Sequence, residues 1–249
     1  PDTHPVLLIP LVIAASALGC MFWSLIPALL KAKLRVNEIL TTLLLNYVAI
    51  IYMEHLFYGP WRDPAGFGFP GTAQIPEAAQ LLRFGDTRIS LGFPLALLCA
   101  VLLYYLLYKS VWGYQVRVIG KEQRAARYAG FNVTGKILAV MALSGAFAGL
   151  AGMVEVCGIH YRLQTGLAVG YGYDGIIVAW LAGLNPLVVP FAAILLGALF
   201  VGGEQLQSVL GLPSTISLIL EGALLFGLFA GQMLARYRVT ISGRSREAT

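Results

Sequence analysis

Apolar runs of membrane-crossing length, one after another, constrain this chain more than any other feature. Residues 6–30, 36–58, 91–108, 137–158, 186–203 and 215–234 are long and nearly free of charge, and 174–184 is a shorter run of the same kind. A helix needs about 20 apolar residues to cross the hydrocarbon layer. Inside that layer the backbone must satisfy its own hydrogen bonds, so such runs are helices. A membrane β-barrel would instead show alternating segments of about 10 residues, and these runs are continuous. Composition agrees, with 58% of residues hydrophobic and 12% charged, against about 25% charged in soluble domains. The expected fold is all-α: a polytopic transmembrane helical bundle of about seven apolar segments, read as a single domain over residues 1–249.

Charge sorts the connectors between the runs. Of the 17 Lys and Arg residues, Lys31, Lys33, Arg35, Lys109, Arg117, Lys121, Arg124, Arg127, Lys136, Arg236, Arg238, Arg244 and Arg246 fall on one side if the chain crosses alternately. Arg62, Arg83, Arg88 and Arg162 fall on the other. Short cytoplasmic loops hold the excess of basic residues. Residues 31–35, the loop 109–136 and the C-terminus are therefore expected in the cytoplasm, with Pro1 and the connector 59–90 outside. The net charge of +5 is a topology signal. Nucleic-acid binding would need one basic patch or stripe, and here the charge is divided among three loops. The chain opens at Pro1 without a signal-peptide pattern, and further N-terminal sequence is expected to precede it.

The sequence carries no catalytic constellation. Cys20, Cys99 and Cys157 each stand alone in an apolar run, which suits small packing residues rather than metal ligands or a disulfide framework. His4, His55 and His160 are far apart. Neither a phosphate-binding G-x-x-x-x-G-K-[ST] loop nor H-E-x-x-H nor G-x-S-x-G occurs. The chain is not expected to be an enzyme or to hold a metal or cofactor, and ATP, if it drives the protein, must be bound by another subunit. Gly170, Gly172 and Gly175 match G-x-G-x-x-G, but a dinucleotide site needs a preceding strand. A flexible entry into a short helix capped by Asp174 fits better. Asn132-Val133-Thr134 matches a glycosylation sequon, although in a loop expected to be cytoplasmic.

Polar groups within apolar runs are the functional candidates, because ionisable side chains at mid-membrane are costly. Asn46 stands in the centre of the second run. It either lines a solute path or makes an interhelical hydrogen bond. Glu155 and Glu221 are either path residues or structural, interfacial ones, and Asp174 joins them as a path candidate. Residues 174–184 followed by Asn185-Pro186 read either as a broken half-helix or as a short span with a tight turn. Gly145-x-x-x-Gly149 and Gly227-x-x-x-Gly231 have the spacing of close helix packing. Residues 121–129 form a short helix with Ala125, Ala126, Tyr128 and Ala129 as a small apolar surface. It either docks into a partner's groove or lies against lipid headgroups.

Four stretches then resemble one family. VNEILTTLLLNYVA over 36–49, GKEQRAARYAGFN over 120–132, SGAFAGLAG over 144–152 and YGYDGIIVAWLA over 171–182 are similar, in order, to segments of nucleoside and simple-sugar permeases of ATP-binding cassette (ABC) importers. Permeases for ribose-type sugars and branched-chain amino acids share the broader fold. The resemblance implies a permease subunit in the bacterial inner membrane that moves nucleosides or simple sugars by alternating access. It also implies a second permease, identical or related, two ATP-binding subunits holding ATP and Mg on the cytoplasmic side, and a solute-binding protein outside that meets the connector 59–90. Coupling to the ATPase maps onto Glu122, Arg124, Ala125, Ala129, Gly130 and Phe131, with Lys121-Glu122 departing from the Asn-Pro that the family often has. The alternatives are an ion-coupled secondary transporter of small polar solutes and an ABC permease for branched-chain amino acids. A membrane enzyme is a weaker rival, for want of clustered chemistry.

Overall fold

The computed structural model describes residues 5–66, 68–85, 89–167 and 170–210, with scattered helical positions between 215 and 231. Its residues fall into two units, Pro1–Val169 and Gly170–Thr249.

In the first unit α1 (Pro5–Leu34), α2 (Glu38–Tyr58), α3 (Gly92–Lys109) and α6 (Val133–Glu155, continued by a π-turn over Val156–His160) are the long helices. Among the described residues these four are long and apolar enough to cross a membrane. Between α3 and α6 lie α4 (Val111–Lys121) and α5 (Gln123–Tyr128). The pairing of α1 with α6 is the most extensive in the unit, and its seam is made of small residues. A methyl group placed on Gly149 would stand 2.3 Å from the Ser16 carbonyl oxygen, and one on Gly145 would stand 2.6 Å from that of Cys20. The two backbones come this close only because both positions lack a side chain, which is how helices pack tightly in lipid. Ser16 and Ser24, on the facing side of α1, donate their hydroxyls to the carbonyls of Ile13 and Met21, at 2.9 and 2.8 Å. Both seam hydroxyls thus have an acceptor within their own helix.

The turn between α1 and α2 is fixed at both ends. Lys31 and Lys33 sit in the last turn of α1 and Glu38 in the first turn of α2, each with the sign that the local helix dipole favours. Lys31 and Glu38 form an ion pair across the turn. Asn37 caps α2 by accepting from the Ile39 N–H at 2.9 Å. Arg35 closes α1 in the left-handed region, at φ 53°, a conformation that glycine usually supplies.

The far end of α6 explains how the connector 59–90 is held. The π-turn bonds the Tyr161 N–H to the Val156 carbonyl at 2.8 Å. Widening the last turn leaves the Cys157 carbonyl for another donor, and the Leu81 N–H takes it at 2.9 Å. The chain then runs antiparallel to 157–164: Ile75 N–H to the Tyr161 carbonyl at 2.8 Å, Thr72 N–H to the Leu163 carbonyl at 2.9 Å, and a bridge from Gly71 to Gln164. Leu81, Met153 and Cys157 form a buried cluster under this cap, against Ile9, Ile13 and Leu95. The two connectors that the charge count assigned to one side therefore meet at one end of the unit.

The basic loop 109–136 is largely helical, which goes beyond the short helix expected there. Ser110 caps α4 through the Gly113 N–H at 3.0 Å, and Asn132 caps α6 through the Gly135 N–H at 2.9 Å. Thus the sequon asparagine has a structural task. Asn132→Ala should lower unfolding stability by about 1 kcal/mol, read as a lower Tm of the purified protein, while Thr134→Val, which removes the sequon and keeps the cap, should leave it unchanged.

In the second unit α7 (Tyr171–Leu181) and α8 (Val189–Leu210) form a hairpin around Val178, Ala182, Ala192 and Leu196. At 1.5 Å per residue the 11 residues of α7 reach about 16 Å, roughly half the hydrocarbon thickness. Gly183 and Leu184 turn the chain at positive φ, and the Asn185 side chain accepts from the Leu187 N–H at 3.1 Å. The Asn185-Pro186 pair is thus the corner of a helical hairpin whose first arm is short. One expectation changes here. The cap of α7 is Gly170, in the left-handed region at φ 98°, and Asp174 lies inside the first turn. Most of the seventh run, 215–234, lies outside the described residues.

Candidate functional site

The six residues assigned to ATPase coupling form one continuous structure, built on α5. Glu122 turns out of α4 with an extended backbone, and its carboxylate accepts from the Arg124 N–H at 3.1 Å, so it is the N-cap. At the other end Ala129 is the C-cap and Gly130 takes φ 78°. The Gly130 N–H bonds the Arg127 carbonyl and the Phe131 N–H bonds the Ala126 carbonyl, both at 3.0 Å. That pair of bonds is a Schellman motif. Its usual hydrophobic contact is present too, because Phe131 packs against the cluster of Ile119, Ala126 and Val133. Six residues are too few for a helix to hold itself. Here the two caps and the docked Ala126, fully buried, hold it.

The apolar surface expected on this helix is divided. Ala126 faces inward, while Ala125, Ala129 and Tyr128 point out, Tyr128 at 94% exposure. Arg124 and Arg127 flank the outward face and line an open hollow of about 680 Å³, together with Lys31, Arg35 and Glu38. A neighbouring hollow of about 560 Å³ shares Lys31 and Arg124 and adds Lys121, Glu122 and Lys136. Lys136 lies over the Trp112 ring, its nitrogen 5.5 Å from the centroid, and Arg117 lies over Tyr108 at 5.2 Å. Sequence reasoning placed Arg35 and Arg127 at this basic end by charge, without counting them as site residues, and missed the helix α4 there. The signal was present: residues 111–121 alternate apolar and polar groups with helical period, hidden by their place in a loop counted only for charge.

The described path candidates stand on three different helices, α2, α6 and α7. Asn46 is exposed on α2, beside the half-buried Thr41, Leu45 and Ala49. Glu155 ends α6, with a carboxylate oxygen 3.3 Å from Nδ1 of His160. In an α-helix residues five apart point about 140° away from each other, and the π-turn is what swings His160 back toward Glu155. The two groups approach off the hydrogen-bonding line, and the buried Nδ1 has no hydrogen-bond partner among the described residues. Asp174 is half-buried in the first turn of α7, and Glu221 lies outside the described residues. A third polar hollow, about 640 Å³, opens in the cap between Asp63, Thr72, Arg162 and Gln164.

Stacked apolar helices with small-residue seams, polar connectors gathered at both ends and a rigid helical knob at the basic end define a multi-pass α-helical membrane protein. Residues 3–229 match the family described as branched-chain amino acid transport system / permease component, and the chain belongs to that family. Among curated relatives, a glucose ABC transporter permease protein of Haloferax volcanii is 34% identical over 248 residues, 95% of this chain and 65% of its own length. A guanosine ABC transporter permease protein of Bacillus subtilis is 35% identical over 84% of this chain and 61% of its own. A nucleoside ABC transporter permease protein of Lactococcus lactis is 25% identical over 91% of this chain and 64% of its own. The chain thus spans a little under two thirds of the length of these relatives. No solved structure matches it at a significant level.

Proposed function

We propose that this chain is the membrane-spanning part of an ABC importer permease that carries nucleosides or simple sugars across the cytoplasmic membrane, the inner membrane of a bacterium. The observation that carries the reading is likeness along 95% of the chain to a permease named for glucose, with further relatives named for guanosine and nucleosides. The geometry of α5 agrees with it. A helix that receives force from a moving ATPase must pass the force on without bending. Caps at both ends, with one buried anchor on α4 and α6, make α5 such an element. In this reading the basic end and the C-terminus are cytoplasmic, and ATP and Mg sit on two partner subunits that grip the outward face of Ala125, Tyr128 and Ala129. The cap built from 59–85 and 157–165 faces a solute-binding protein, and a second permease, identical or related, completes the path. The branched-chain amino acid reading is kept as the second one because the family's own description names those solutes.

Asn46 is the polar group assigned to the path, as a neutral side chain that offers a solute hydroxyl or base both donor and acceptor. The test is uptake of labelled guanosine, glucose and leucine in cells carrying the full-length gene with its neighbouring ATPase genes. Guanosine or glucose uptake that disappears with a hydrolysis-defective ATPase, and drops about tenfold in Asn46→Ala (on the order of 1.4 kcal/mol of lost solute recognition), is the expected result. Leucine as the transported solute would move the chain to the second reading, and uptake indifferent to the ATPase would overturn the importer reading altogether.

A further inference from the structure

The hollow between the α1–α2 turn and α5 has a chemistry that the transport reading does not use. It is framed by the end of α1 at Leu34, the start of α2 at Glu38 and the start of α6 at Val133. Three apolar helices reach or leave the membrane together there, so the hollow lies at headgroup level. Lys31, one of its four cations, is neutralised by Glu38. Arg35, Arg124 and Arg127 have no ion-pair partner among the described residues. Three guanidinium groups around one concavity repel one another, and an anion seated among them would turn that repulsion into attraction.

We propose that this hollow binds the phosphate of an anionic membrane lipid. Guanidinium forks match a phosphate's oxygens two at a time. Basic pockets between membrane helices on the side with anionic lipids take such headgroups. The amphiphilic lining favours a lipid over a free phosphate. Val36 and Ile137 stand beside the arginines, positioned for the glycerol and upper acyl carbons. Trp112 under Lys136 and Tyr108 under Arg117 add the aromatic belt found at the membrane interface. Arg35 also occupies a left-handed position, φ 53°, where the backbone would accept glycine more readily; an arginine there supplies a cation at the mouth of the hollow. The lipid would join the α1–α2 turn to α5, and so tie the docked helix to the membrane surface.

The experiment uses the full-length protein, purified and delipidated in neutral detergent, with bound lipid counted by native mass spectrometry. Titration with phosphatidylglycerol should show at least about tenfold tighter binding than phosphatidylcholine, as expected for several cations near one headgroup. The combined Arg35→Gln, Arg124→Gln and Arg127→Gln variant should bind the two lipids alike, whereas lysine at all three positions should keep most of the preference, since an ammonium still serves as a point charge for phosphate. Arg35→Gly separates binding from folding: it should weaken phosphatidylglycerol binding while Tm holds or rises. Three results overturn the proposal: equal binding of the two lipids by the parent protein, an undiminished preference in the triple glutamine variant, or displacement of phosphatidylglycerol by millimolar inorganic phosphate, which would make the hollow a free-anion site.

Discussion

Gly149→Leu should be the most damaging single substitution in the membrane-embedded part of this chain, costing about 3 kcal/mol or more. The reason is what stands opposite. At 2.3 Å the first added carbon would overlap the Ser16 carbonyl oxygen, and backbone cannot rotate away as a side chain does. The whole of α1 would have to move off α6, opening the seam that also includes Gly145 and Cys20. Gly152, one turn further along the same helix, has no heavy atom within 4 Å of the equivalent position. Gly152→Ala should therefore be neutral, or gain up to about 1 kcal/mol of helix propensity. Thermal unfolding of the two purified variants in detergent checks this. Equal losses at 149 and 152 would mean that the α1–α6 seam does not limit stability.

Ala126→Asp should detach α5 and leave the bundle intact. The alanine is fully buried between Ile119 and Val133. A carboxylate there has no cation or donor provided for it, and burying it unpaired costs several kcal/mol. A six-residue helix has no stability of its own to set against that cost, so the segment leaves its site. Amide hydrogen exchange over 123–131 should accelerate to the rate of an open loop, while α1 and α6 keep their protection. If α5 transmits ATP-driven motion, solute-stimulated ATP hydrolysis in the assembled transporter should fall by at least about tenfold. Tyr128→Ala is the matching control. Its ring is 94% exposed, so protection of 123–131 should not change, and any loss of coupling would then come from the partner contact. Unchanged exchange in Ala126→Asp would show that Ala126 is not the anchor.

The helical spans were legible because lipid leaves the backbone few choices. Runs of about 20 apolar residues set α1, α2, α3 and α6 to within a few residues. The short helix α5 was legible from composition. The division of its surface was not. Nothing in the order Arg124, Ala125, Ala126, Arg127 says which alanine turns inward; that depends on where Ile119 and Val133 arrive from α4 and α6. The same holds for Glu155. As a sequence feature it was a lone carboxylate near the end of an apolar run, and only the π-turn brings His160 to it.

By itself the sequence determined the solvent of this protein, the class of its fold and the family to which it belongs, since hydropathy and short-range capping are properties of neighbouring residues. Tertiary structure alone decided which glycines are irreplaceable, which cations remain unpaired and how the connector 59–90 is bonded to the end of α6. Those outcomes depend on residues distant in the chain: Gly149 on Ser16, Leu81 on Cys157, Arg35 on Arg124. Their meeting is set by how the helices pack, and no local pattern records it.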